Sequence, residues 1–108
     1  MLSVAYRTGD GVAQDWGEMM RWARLAAEGG SADAQNTLGY GILTGLAGHP
    51  PDVVEACAWL MLAVERAPPG ELRERARVNV TNAMAQLDAA ALREAEARAQ
   101  HWRDRFRR

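Results

Sequence analysis

The sequence lacks the features that often stabilise a small protein or attach it to a membrane: disulfides, metal sites and long apolar segments. Its 108 residues include one cysteine, Cys57, so no internal disulfide can form. The two histidines are isolated and no Cys-x-x-Cys or His-x-x-x-His spacing is present, so we expect no metal and no cofactor. No run approaches the ~18 apolar residues of a membrane span, and the first residues lack the pattern of a signal peptide. We therefore expect no membrane span, and the sequence leaves the location open between the cytoplasm and the periplasm.

The charge balance argues against a dedicated nucleic-acid ligand. Thirteen basic residues, all arginine, stand against fourteen acidic residues, for a net charge of −1, whereas binding by phosphate neutralisation requires a basic surface. Residues 71–108 nevertheless carry nine arginines and six acidic residues. Near the C-terminus the arginines are interleaved with Trp102 and Phe106, a pattern that suits an anionic surface or a nucleic acid. This alternative binding site consists of Arg98, Arg103, Arg105, Arg107 and Arg108.

An internal repeat indicates the fold. Leu2, Tyr6 and Gly9 recur 36 residues later as Leu38, Ile42 and Gly45. A second set recurs 37 residues later: Asp15, Glu18, Trp22, Ala26 and Glu28 reappear as Asp52, Glu55, Trp59, Ala63 and Glu65. Spacings of three and four residues within each copy place the apolar side chains on one helix face. Each copy therefore predicts a hairpin of two antiparallel helices.

The ends of the predicted helices follow from residues that cap or break them. The segments 9–11 and 45–51 are expected to end one helix, and Asp15 and Asp52 are placed to cap the next. The run Pro-Pro-Gly at 68–70 separates two later helices. The predicted helices span 2–8, 15–28, 32–44, 52–66, 72–86 and 89–106. The expected fold class is all-α.

Three segments, 2–12 (LSVAYRTGDGV), 26–30 (AAEGG) and 32–39 (ADAQNTLG), together with Asp15 and Trp22, closely resemble the Sel-one-like repeat, a relative of the tetratricopeptide repeat. The resemblance implies a right-handed α/α superhelix of about five to six helices, in which Gly39 lets paired helices approach closely. It also implies one domain, 1–108. That domain would consist of a first repeat at about 2–30, truncated at its start, a second at about 31–67, and a degenerate capping hairpin at about 71–106.

The truncated first repeat has a consequence of its own. We expect either a fragment of a longer array or a first helix that is too short to cover the core. Both leave apolar side chains without a neighbour, so Leu2 and Val4 are expected to lie exposed. We therefore expect a tendency to self-associate at the N-terminal end of the array.

The resemblance implies an adaptor or scaffold, often in bacterial envelope or signalling settings. Stacked hairpins expose a concave surface, formed by the first helix of each pair, that suits an extended peptide or a partner helix. Because no nucleophile with a base, no carboxylate pair and no cofactor loop can be assembled, we expect a non-enzymatic module without a small-molecule substrate. Its partner is an unknown protein or peptide. Carrying over the tetratricopeptide groove positions gives Arg7, Thr8, Asp33, Asn36, Tyr40, Leu43 and Thr44 as candidate binding residues.

The tryptophans and the cysteine are interpreted mainly as packing residues. Trp22, Trp59 and Trp102 all lie on predicted apolar stripes and are expected in the core. Trp16 is less constrained and is a candidate interface residue. Cys57 lies between two alanines in a predicted helix, so it is expected to be a small buried hydrophobe and not a nucleophile.

Overall fold

The computed structural model describes residues 10–45 and 52–106, with side chains from residue 17 onward in the first of these ranges. Five helices run in order: α1 (Asp10–Glu28), α2 (Ala32–Thr44), α3 (Val53–Arg66), α4 (Glu71–Met84) and α5 (Ala89–Phe106). Within those ranges there is no strand, which confirms the all-α prediction. Of the helices described, none is long and apolar enough to cross a membrane.

The N-terminal boundary of α1 differs from the prediction. The helix begins at Asp10, so Gly11 is helical and Asp15 lies inside the helix; the prediction that Asp15 is the N-cap is wrong. A glycine in a helix costs only ~1 kcal/mol relative to alanine, too little to force a turn where the flanking residues favour the helix. The predicted helix at 2–8 lies outside the described residues, as does the loop at 46–51.

Three of the other helices, α2, α3 and α5, begin where a side chain accepts a backbone N–H. Ser31 caps α2 and Asp52 caps α3, through hydrogen bonds from Ala34 N (3.2 Å) and Glu55 N (3.1 Å), so the predicted Asp52 cap is confirmed. Asp88 accepts the N–H of Ala91 at 2.8 Å at the start of α5. Each such cap satisfies a donor that the helix itself cannot, which contributes ~1 kcal/mol.

Helix α3 lies at the centre and packs against α2, α4 and α5. Its core-facing side chains belong to two clusters, which meet along the helix. The first consists of Ala23, Ala27, Leu38, Ala58, Trp59, Leu62 and Ala99, and the second of Cys57, Leu60, Ala83 and Ala95. Many of these side chains are alanines, so the helices approach closely and α3 is buried by neighbours on several sides.

The closest approach between α2 and α3 occurs at Gly39. A Cβ atom built there would lie 2.6 Å from Leu60 Cγ and 3.1 Å from the carbonyl oxygen of Ala56. Real Cβ atoms do not approach other carbons so closely, because overlap of this size displaces packed neighbours. The expectation that Gly39 allows two helices to pack closely is therefore confirmed.

The three tryptophans assigned to the core do not share one environment. Trp59 is 2% exposed and lies in the core as predicted. Trp102 is only partly buried and packs on Trp59, with ring centroids 4.9 Å apart. Trp22 is 71% exposed, so its assignment to the core is wrong. Helix α1 joins the first cluster through Ala23 and Ala27, and Trp22 lies on another face, against which no described helix packs.

Candidate functional site

A surface groove of about 580 Å³ is bounded by α1, α2 and α4. Helix α2 contributes residues one turn apart, and α4 contributes a stripe repeated every three or four residues, so each helix presents one face to the groove. The lining residues are Met19, Asn36, Thr37, Tyr40, Glu71, Glu74, Arg75, Val78 and Asn79.

The floor of the groove is mainly apolar. Tyr40 and Val78 are 48% and 60% exposed, and Met19 lines the same space from α1. When a partner covers adjacent apolar side chains that are this exposed, their surface is removed from water, which favours binding. Tyrosine adds a polar tip to a rigid ring, a combination that is enriched in binding hot spots.

A pair of amides connects the two walls of the groove. The side-chain Nδ2 of Asn79 on α4 donates to Oδ1 of Asn36 on α2 at 3.0 Å. This bond leaves the second amide group of each residue, one donor and one acceptor, without a partner among the described residues. The same is true if both amides are flipped, because each still contributes one group to the bond and keeps the other. One free donor and one free acceptor match the N–H and C=O of a peptide backbone.

The rim of the groove on α4 is charged, but its charges are largely paired. Arg75 contacts Glu71 at 2.6 Å, and Arg77 contacts Glu74 at 3.7 Å. All four side chains are more than half exposed, so these pairs contribute little to stability. The rim therefore adds polarity without a strong preference for a ligand of either charge.

Two of the candidate residues named from the sequence, Asn36 and Tyr40, lie in this groove. Asp33 is exposed in the first turn of α2 and does not line it. The hydroxyl of Thr44 donates to the carbonyl oxygen of Tyr40 at 2.9 Å, and Leu43 packs against the second core cluster. Arg7 and Thr8 lie outside the described residues.

Sequence reasoning missed the α4 wall of the groove. The apolar stripe that periodicity identifies on this helix, which includes Ala76 and Val80, faces the core. Val78 lies off that stripe, and an apolar residue between arginine and asparagine on the polar side of a helix was the available signal. Asn79 carried no comparable signal, because its contact with Asn36 joins residues 43 positions apart.

The arginines of the alternative basic site are partly engaged within the chain. Arg103 makes two hydrogen bonds to Glu65, at 2.7 and 2.6 Å, and this bonding raises the pKa of its guanidinium further. Arg98 contacts Glu94 at 3.4 Å. The guanidinium of Arg105 lies 4.8 Å from the centre of a tryptophan ring, while residues 107 and 108 lie outside the described ranges.

Cys57 is fully buried in the second core cluster. Burial, with a smaller contribution from the carboxylate of Glu96, raises the pKa of its thiol to about 11. A thiol with so little thiolate at neutral pH is a poor nucleophile, in agreement with its interpretation as a packing residue. Among the described residues, no three histidine, cysteine or acidic side chains are grouped so that they could hold a metal ion.

Comparison with known proteins gives no match to a family model, to a curated protein or to a solved structure. The functional interpretation therefore depends on the geometry of the groove and on the sequence pattern.

Proposed function

We propose that this chain is a non-enzymatic binding module and that the groove between α1, α2 and α4 binds an extended segment of a partner protein. The observation that carries the proposal is the adjacency of an exposed apolar floor and a half-satisfied amide pair, Asn36 and Asn79. An apolar floor supplies affinity and the amides supply orientation, which is the usual division of roles in a peptide site.

The groove specifies the chemistry of its ligand. An apolar or aromatic ligand side chain covers Tyr40 and Val78, and the ligand backbone beside it bonds to the two free amide groups. Because a backbone N–H and C=O occur in every residue, the amide pair selects an extended conformation and not a particular side chain. The paired charges on α4 then contact the polar residues that flank the apolar one.

The helix packing also supports a Sel-one-like arrangement of hairpins. Helix α2 contacts α4, and α3 contacts α5, so alternate helices pack side by side as they do when hairpins stack. In that arrangement α2 and α4 are the first helices of successive pairs, whose shared face forms the concave surface. The groove lies between these two helices, where a superhelix of this type would bind a partner.

Selection from a random peptide library, followed by fluorescence anisotropy with the enriched peptides, tests the proposal. We expect Tyr40→Ala and Val78→Ser to weaken binding at least tenfold, since both side chains are central and exposed. Met84→Ala is the matched control: Met84 is exposed on α4 but does not line the groove, so its removal should leave affinity unchanged. Circular dichroism checks that each variant keeps its helical content.

Two results would contradict the proposal. One is an enriched peptide whose affinity is the same for the groove variants and for wild type. The other is binding that disappears with salt and with Arg98→Gln, Arg103→Gln and Arg105→Gln combined, because that pattern indicates the alternative, electrostatic binding through the C-terminal arginines. Backbone amide chemical shifts on peptide addition distinguish the two sites directly: changes in α2 and α4 indicate the groove, and changes around the arginines of α5 indicate the alternative site.

A further inference from the structure

We propose that the outer face of α1 is a self-association surface, on which a second copy of the chain docks its own α1 in the antiparallel direction. The outer face is the stripe Glu18, Trp22, Leu25 and Gly29, whose members are three or four residues apart and therefore adjacent on the helix. Trp22 and Leu25 are 71% and 63% exposed. Adjacent large apolar side chains with such exposure characterise an interaction site.

The internal repeat shows what this face becomes when it has a neighbour. Trp59 and Leu62 occupy the same positions 37 residues later, on α3, and are 2% and 0% exposed. They lie in one cluster with Ala99 of α5, and Trp102 packs over the Trp59 ring. The outer face of α1 thus has the composition of a buried helix interface, while no described helix covers it.

The spacing along the outer face is self-complementary. In an antiparallel pair whose two-fold axis passes between residues 23 and 24, Trp22 of one copy faces Leu25 of the other, and this contact occurs twice. Glu18 then lies opposite Gly29 of the second copy, where the absence of a side chain leaves room for the carboxylate. A two-fold interface requires this kind of match, because the same patch has to serve both partners.

The charges beside the stripe favour the same register. Arg21 and Glu28 lie on one flank of the outer face, seven residues or two turns apart. When antiparallel helices pair through a two-fold axis, equivalent flanks meet, so Arg21 of each copy lies near Glu28 of the other. Within one copy, Arg21 contacts Glu18 at 3.0 Å, and both side chains are more than half exposed. Such an exposed ion pair is weak, so Arg21 can exchange it for a contact with Glu28 of the second copy. Such flanking charges determine register more than affinity.

A second α1 is 19 residues long and therefore matches the length of the face that it covers. The chain's own N-terminal segment is the other candidate for covering this face, and the truncated chain described below tests it.

Sedimentation velocity over roughly a hundredfold range of concentration, from low micromolar upward, tests the proposal, because a dimer responds to mass action. We expect wild type to shift from monomer to dimer, and Trp22→Gln and Leu25→Gln to remain monomeric. Met84→Gln, at an exposed apolar position on α4 outside the groove, is the matched control and should dimerise like wild type. All three positions are exposed, so the fold should survive, which thermal melts verify.

A charge exchange tests the antiparallel register. Arg21→Glu and Glu28→Arg should each weaken the homodimer at least tenfold, because each places like charges together twice. An equal mixture of the two variants should restore a heterodimer, since both contacts are then between opposite charges.

The proposal is overturned if wild type stays monomeric over the whole range, or if the Trp22 and Leu25 variants still dimerise. It is also overturned if the mixed charge variants do not associate while wild type does. Finally, a chain lacking residues 1–9 that dimerises when the full chain does not would show that the N-terminal segment covers the outer face.

Discussion

The close approach at Gly39 allows a quantitative prediction. In Gly39→Ala the new methyl group lies 2.6 Å from Leu60 Cγ and 2.8 Å from its Cδ2 if nothing moves. Leu60 is fully buried, beside Ala83 and Ala95 of the flanking helices, so it has no empty space to move into. The carbonyl oxygen of Ala56 on the same helix, at 3.1 Å, is also too close, and a backbone atom cannot move aside as a side chain can.

Two opposing effects set the size of the change. Alanine is favoured over glycine in a helix interior by ~1 kcal/mol, whereas forcing an extra carbon into a packed core costs ~1–3 kcal/mol. With both a buried side chain and a backbone carbonyl in the way, we expect the steric cost to be near the upper end. The free energy of unfolding should therefore fall by ~1–2 kcal/mol, which corresponds to a decrease in Tm of about 5–10 °C for a domain of this size.

Urea titration and thermal melts measure the effect, and Gly17→Ala is the matched control. Gly17 is also inside a helix, but a Cβ there meets no atom within 4 Å, so this variant should gain up to ~1 kcal/mol. Leu60→Ala in the Gly39→Ala background should cost at least ~1 kcal/mol less than in wild type, because the truncation makes space for the new methyl group. If Gly39→Ala is as stable as Gly17→Ala, the steric reasoning is refuted.

Three further predictions concern the N-cap of α5, the thiol of Cys57 and the ion pair of Arg103. Asp88→Ala removes the N-cap of α5 and should lower the free energy of unfolding, measured by urea titration, by ~1 kcal/mol. Asp88→Ser should keep most of this contribution, because serine also caps helices; an equal loss of stability in both variants would contradict the capping role. The pKa of Cys57, raised to about 11 from 9.0 by burial and by Glu96, favours the neutral thiol in the fold. Its contribution to stability should be complete below pH 9 and decrease as pH rises from 9 to 11, and iodoacetamide at pH 8 should modify the folded chain no faster than it unfolds. Arg103→Gln should cost less than ~1 kcal/mol, because the ion pair is partly exposed, and melts in high salt should reduce the difference from wild type.

Much of the fold was predictable because local signals were unambiguous. The predicted bounds of α2, 32–44, match the structure, in which Ser31 caps the start of the helix and Gly45, at φ 73°, ends it. The run Pro-Pro-Gly separated α3 from α4 for a similar local reason. At the start of α1 the local signal was ambiguous, because aspartate and glycine suit both a turn and a first helical turn.

The candidate site was predicted in part. Tyr40 and Asn36 follow from carrying a repeat pattern onto α2, whereas the opposite wall depends on which side of α4 faces α2. Core packing between residues distant in sequence, including Ala83 and Leu60, determines which side of α4 faces α2. Periodicity identifies the faces of a helix, but only the packed structure determines which of them meet.

Trp22 and Trp59 also show that a sequence pattern alone does not determine whether a side chain is buried. They occupy equivalent repeat positions, yet one is 71% exposed and the other 2%. The local sequence is similar, so the difference comes from the surroundings: α3 packs against α2, α4 and α5, while α1 has α2 as its main described neighbour. Trp22 is exposed because no described helix packs on its face of α1, and any helix that packs there should bury it as α5 buries Trp59.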